Sequence, residues 1–124
     1  MPIERAEDHP TFDLGGNAIT SLAAPARGSG EVALYRLDLP PGGGLPAHTH
    51  DHFDVFTVTS GEAIVHLDDE ATPIGAGDSV VVPPGMIHWL EAGAAGTSIF
   101  VTMLAHTKLF RQDGGSVVAP PWVS

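Results

Sequence analysis

Between Glu31 and Leu39 the chain alternates with a period of two. Ala33, Tyr35, Leu37 and Leu39 share one face, and Val32, Leu34, Arg36 and Asp38 share the other. Successive side chains of an extended chain point to opposite sides, so this pattern predicts a strand with one buried face. Phe53–Ser60 is rich in β-branched and aromatic residues and predicts a second strand, with Gly61 as the turn after it. Shorter strands are predicted over Glu62–Leu67, Ala71–Ile74, Ser79–Val82, Met86–Leu90 and Ser98–Leu104, with possible strands at Asn17–Ala24 and Val117–Val118. Between them lie turn signals: Pro40-Pro41-Gly42-Gly43-Gly44, the acidic tip Asp68-Asp69-Glu70, Gly75-Ala76-Gly77-Asp78, Pro83-Pro84-Gly85 and the Gly93–Gly96 loop. No helical stripe appears. Many short strands at close spacing predict an all-β, antiparallel jelly-roll barrel.

Composition agrees with this reading: 15 glycines and 11 prolines punctuate a 124-residue chain that is 43% hydrophobic, the size of one domain. Residues 1–30 read as an N-terminal arm or edge strands, 31–107 as the barrel and 108–124 as a C-terminal tail. The net charge of −10 argues against a protein that tracks nucleic-acid phosphates or an anionic membrane surface. The start, MPIERAEDHP, lacks the apolar segment of a signal peptide, and no apolar run approaches a membrane span, so a cytoplasmic location is expected. The absence of cysteine removes disulfides, thiol nucleophiles and thiolate metal sites.

The chemistry lies in the histidines. Five of the seven fall between positions 48 and 88, and His48, His50 and His52 crowd into five residues. On a regular strand these three and Asp54 would project the same way. Two imidazoles so placed can converge on one ion, and His88, beyond the Pro83–Gly85 turn, is the leading candidate for a further ligand. Nitrogen and oxygen donors without thiolate suit divalent Fe, Mn, Ni, Cu or Zn. His9, His66 and His106 read as surface residues, and Tyr35, Phe56, Met86, Trp89 and Phe100 as barrel packing. Arg36 is the only basic residue in the predicted strands and faces away from Tyr35 and Leu37, so no clamp for an anionic substrate is indicated.

These residues carry a resemblance to the cupin superfamily. Gly42, five residues, His48-Thr49-His50, three residues, Asp54, six residues and Gly61 are similar to the first cupin motif. Gly77, Pro83, Gly85 and His88 are similar to the second, with Ala92 where the family has Asn. The spacer of 15 residues from Gly61 to Gly77 is that of small single-domain cupins. The resemblance implies metal ligands His48, His50 and His88, with Asp54 at the family's glutamate position. Asp54 is one methylene shorter than Glu; it either ligates, acts through a water, or serves as a base. His52 is an extra imidazole that the motif does not require: it reads as a surface or rim residue, or else it ligates, or faces substrate and moves a proton. The resemblance further implies a metal-dependent oxygenase like the quercetin-dioxygenase-like cupins, acting on a small organic substrate. Alternatives are an isomerase, cyclase or lyase using a redox-inert ion, or a cupin that binds a small molecule without turnover. A homodimer is expected on the same ground.

Overall fold

The computed structural model describes residues 3–113, 117–118 and 120–124, so parts of the predicted arm and tail lie outside the described residues. The described residues form ten strands: β1 (Thr11–Leu14), β2 (Asn17–Ala23), β3 (Val32–Leu39), β4 (His48–His50), β5 (Asp54–Leu67), β6 (Glu70–Gly75), β7 (Ser79–Val82), β8 (His88–Leu104), β9 (Leu109–Arg111) and β10 (Val117–Val118). Every pairing is antiparallel. The order β1-β2-β3-β8-β4-β9-β10 makes one continuous path, and β5, carrying β6 and β7, pairs with β8. The predicted all-β jelly-roll barrel is present as a curled antiparallel sheet.

The predicted face of β3 is the buried one: Ala33, Tyr35, Leu37 and Leu39 are at most 8% exposed. They pack with Ile19, Phe56, Val58, Ile99 and Val101 into a single core. Phe100 departs from its expected packing role. It is 41% exposed, because the alternation of β8 buries its neighbours Ile99 and Val101 and turns Phe100 outward.

Two glycine signals differ from their reading as turns. Gly61 lies inside β5, and the Gly93–Gly96 segment lies inside β8. Both strands run on through these points. The first half of β5 pairs with the second half of β8 (Asp54↔Met103 to Gly61↔Thr97), and the second half of β5 pairs with the first half of β8 (Ala63↔Ala92 to Leu67↔His88). The register shifts on either side of Ser60–Gly61. Gly61 (φ 80°) and Gly96 (φ 80°) supply left-handed conformations for this bulged corner. The corner bends the sheet, and so brings the start of β8 to β4.

Candidate metal centre

β4 is held on one edge by β9 (His48↔Arg111, Thr49↔Phe110, His50↔Leu109) and meets β8 at one pair, His48↔His88. Cross-strand partners share a face. The buried–intermediate–buried pattern of β4 therefore turns His48 and His50 inward beside His88. The candidate ligand atoms of the three rings lie within 4.8 Å of one another. Ring centroids are 4.2 Å apart for His48–His88, 4.9 Å for His48–His50 and 5.2 Å for His50–His88.

Each ring is fixed by a backbone carbonyl. Nδ1 of His48 donates to Pro46 O (2.8 Å), Nδ1 of His88 to Met86 O (3.0 Å) and Nδ1 of His50 to Lys108 O (3.2 Å). A carbonyl only accepts, so each Nδ1 carries a proton, and in the neutral tautomer this leaves Nε2 with a free lone pair. Metal-binding histidines are oriented and tautomer-selected in this way.

Asp54, first residue of β5, is 5% exposed. Its Oδ2 is 3.3 Å from Nε2 of His88 and 3.6 Å from Nε2 of His50. With the ring protons on Nδ1, these are acceptor-to-acceptor approaches. Consistently, His88 Nε2 and Asp54 Oδ1 are buried and make no hydrogen bond. Such atoms are costly unless a proton or cation satisfies them. Three imidazole nitrogens with a carboxylate at their edge thus fit a divalent transition ion.

His52 is placed elsewhere. The ladder stops at His50, where the Asp51 carboxylate accepts the Lys108 amide (2.9 Å) and the chain bends before β5 begins. The bend interrupts the regular alternation and leaves His52 exposed, outside the residues lining the cavity. Asp54 is turned inward again by β5. His66, expected to face solvent, is half-buried: it stacks on Trp89 (3.6 Å, 4° between planes), and its Nε2 lies 3.0 Å from Glu91 Oε2.

The histidines and Asp54 sit on the wall of a mainly apolar cavity formed by residues such as Ile19, Leu37, Phe56, Val101 and Met103. Two further lining residues escape sequence reasoning as site groups, Tyr35 and Trp122. The short 3-10 turn Pro121–Val123 brings Trp122 edge-on to Tyr35 (6.2 Å between centroids) and against Phe12 (5.7 Å). The Tyr35 phenol is pushed far above its ordinary value by burial first and by the negative charge of Asp54 second; a hydrogen bond with Trp122 acts the other way. Tyr35 is therefore a neutral hydroxyl inside the cavity. Its membership of the inward face of β3 was the available signal; nothing in the tail sequence marks Trp122.

Burial, with repulsion from His88 second, lowers the His48 pKa to about 4, and burial lowers that of His50. The consequence for the metal-free protein has a definite sign. Above the ordinary histidine value of about 6.5, His48 is neutral in both folded and unfolded chains and adds no pH dependence. As pH falls from 6.5 towards 4, the unfolded chain takes up a proton that the folded one refuses, so stability falls. For His48 alone the loss reaches about 3 kcal/mol, from ~1.4 kcal/mol per pKa unit. Urea midpoints of the chelated protein should drop between pH 7 and pH 4.5, and drop less in His48→Ala. An equal drop in both proteins would contradict this account.

Residues 35–104 match the family described as Cupin domain, more than half of the chain. Among curated proteins, the germin-like protein subfamily 3 member 3 of Arabidopsis thaliana is 36% identical over 95 residues, 68% of this chain and 44% of that protein. The chain spans less than half the length of the plant relatives it matches. Among solved structures, an RmlC-like cupin from Shewanella frigidimarina is similar with a TM-score of 0.74 at 25% identity, covering 84% of this chain and 90% of that one. The polyketide cyclase RemF from Streptomyces resistomycificus shares the fold with a TM-score of 0.80 at 17% identity, covering 90% and 85%. The paired motifs, the curled antiparallel sheet and the three inward histidines are therefore those of a family member: this chain belongs to the cupins.

Proposed function

We propose that this cupin is a metal-dependent oxygenase acting on a small organic molecule held in the barrel. One observation carries the reading: three imidazole rings converge beside a buried carboxylate on the wall of an apolar cavity. His48, His50 and His88 would hold one divalent ion, with Asp54 at its edge. When bound, such an ion supplies Lewis acidity and, if redox-active, electrons for dioxygen. The chain's own residues do the rest. Backbone carbonyls aim the imidazoles, burial disfavours protonation of His48 and His50, and the apolar wall excludes water. Asp54 takes the acidic proton of an enol, phenol or diol, the role for which His52 stands too far out.

A second reading, a cyclase or isomerase using a redox-inert ion, is favoured by Tyr35. A neutral hydroxyl and a carboxylate facing one cavity suit proton relocation without electron transfer. Metal analysis followed by oxygen-electrode assays on catechols, enediols and flavonols separates the two. Metal-dependent oxygen uptake is expected, falling about 10²-fold or more in Asp54→Asn. Turnover without oxygen uptake supports the second reading, and retained metal with no turnover supports a binding module.

The same reading includes a homodimer and a cytoplasmic site of action. Val32, Val55, Val81, Phe100 and Leu104 are exposed on the outer face of β3, β5, β7 and β8, a surface suited to a second copy. Among the described residues no helix is long and apolar enough to cross a membrane.

A further inference from the structure

The metal cavity is not closed at β9. A second cavity adjoins it and shares Leu14, Leu45, His48, Leu109, Pro120 and Trp122 with it. The second cavity adds Arg111, the only cationic side chain among the described residues lining either space. Arg111 is the register partner of His48, as Leu109 is of His50. Cross-strand partners share a face, so Arg111 belongs to the same face as the histidines, one strand further out. This cation stands at the rim of the site in a chain with 5 basic and 15 acidic residues. Its guanidinium is paired with Asp113 (Nε to Oδ1 3.2 Å), and the two side chains are 43% and 51% exposed. The pair is two-pronged, with Nη2 also donating to Asp113 Oδ2, but it is open to water and screened, so an incoming carboxylate can compete with Asp113 for the guanidinium fork.

We propose that Arg111 is a specificity residue that receives an anionic group at the outer end of the substrate. The substrate class is then a molecule with a metal-seeking head, an apolar body lying along Leu45, Leu109 and Trp122, and a carboxylate or similar anion at the far end. This rests on the metal reading above. The sequence pattern gave no hint of it, because Arg111 falls in the segment read as a tail.

The test uses the full chain loaded with Co(II) and two probes, imidazole and 3-(imidazol-4-yl)propionate, titrated by the visible absorption of the ion. The wild-type protein should prefer the anionic probe about tenfold or more, as expected for a charge-assisted contact. In Arg111→Gln the preference should vanish while imidazole binds as before; Arg111→Lys should retain part of it. Added salt should reduce the wild-type preference, because the contact lies at an exposed rim. An unchanged preference in Arg111→Gln, with the variant's circular dichroism intact, overturns the proposal. Absence of any spectral response to imidazole in the Co(II) protein would instead overturn the metal reading, and the role of Arg111 with it.

Discussion

Replacing both His48 and His50 by alanine should abolish stoichiometric metal binding. The wild-type chain, purified with added divalent metal, should hold about one ion, and the double variant should bind at least about 10²-fold more weakly. Loss of an outer partner of a ligand already costs 10–100-fold, and here two ligands themselves are removed. The effect should be equally visible in stability. At metal concentrations ~1,000 times the dissociation constant, binding to the folded state alone adds about 4 kcal/mol. Wild-type melting should therefore rise steeply with added metal, while the double variant melts at one temperature with or without it. The metal-free variant need not be less stable than the metal-free parent. In the parent His88 Nε2 and Asp54 Oδ1 are buried without hydrogen bonds, and His48 and His50 crowd the same small volume. Elemental analysis and thermal melts decide the matter; a double variant with full metal content would overturn the ligand assignment.

The second large effect is far from the histidines. Gly61→Ala should cost about 4 kcal/mol or more, the range reserved for a named structural conflict. A Cβ at Gly61 would lie 2.1 Å from the carbonyl oxygen of Gly96, and the residue is held at φ +80°. The obstructing atom is backbone in the paired strand, so relief requires opening the corner where β5 and β8 cross. The melting temperature should fall by roughly 15 °C or more. Gly77→Ala is the matched control: it too has positive φ, but its Cβ would meet nothing within 4 Å. It should cost only the backbone term, about 1–2 kcal/mol. If Gly61→Ala melted like Gly77→Ala, the close approach of the two strands would be wrong.

The same corner shows what a sequence can and cannot disclose here. The buried face of β3 was readable because alternation is a local property of an extended chain, and His48, His50 and His88 could be grouped because the two stretches that hold them resemble the cupin motifs. Continuity through Gly61 and Gly96 was not. A glycine at a turn and a glycine in a bulge satisfy the same need for positive φ, and only the pairing partner distinguishes them. His52 shows the converse error. Counting by twos from His48 assumes an unbroken strand, whereas the Asp51 carboxylate and the Lys108 amide, far apart in sequence, break it. β9 has three residues, too few for any period, so Arg111 could not be assigned a face before its pairing with His48 was known. Trp122 enters the cavity because the backbone around Val123 is anchored to the barrel, with His106 N donating to Val123 O at 2.7 Å, and no pattern within the tail encodes that contact.

The unequal lengths of the strands that carry the histidines have a consequence for exchange. His88 begins a strand of 17 residues laddered to β5 in both halves and to β3 over Thr97–Leu104, whereas His48 and His50 occupy one of three residues, joined to β9 by a short ladder and to β8 by one pair. Local opening requires only the hydrogen bonds and packing of the segment that moves, not those of the whole domain. The β4–β9 flap can therefore lift while the long β5–β8 ribbon stays folded. An ion held by these histidines would then enter and leave by the breathing of this small flap, and a chelator should strip the site from a molecule that remains folded.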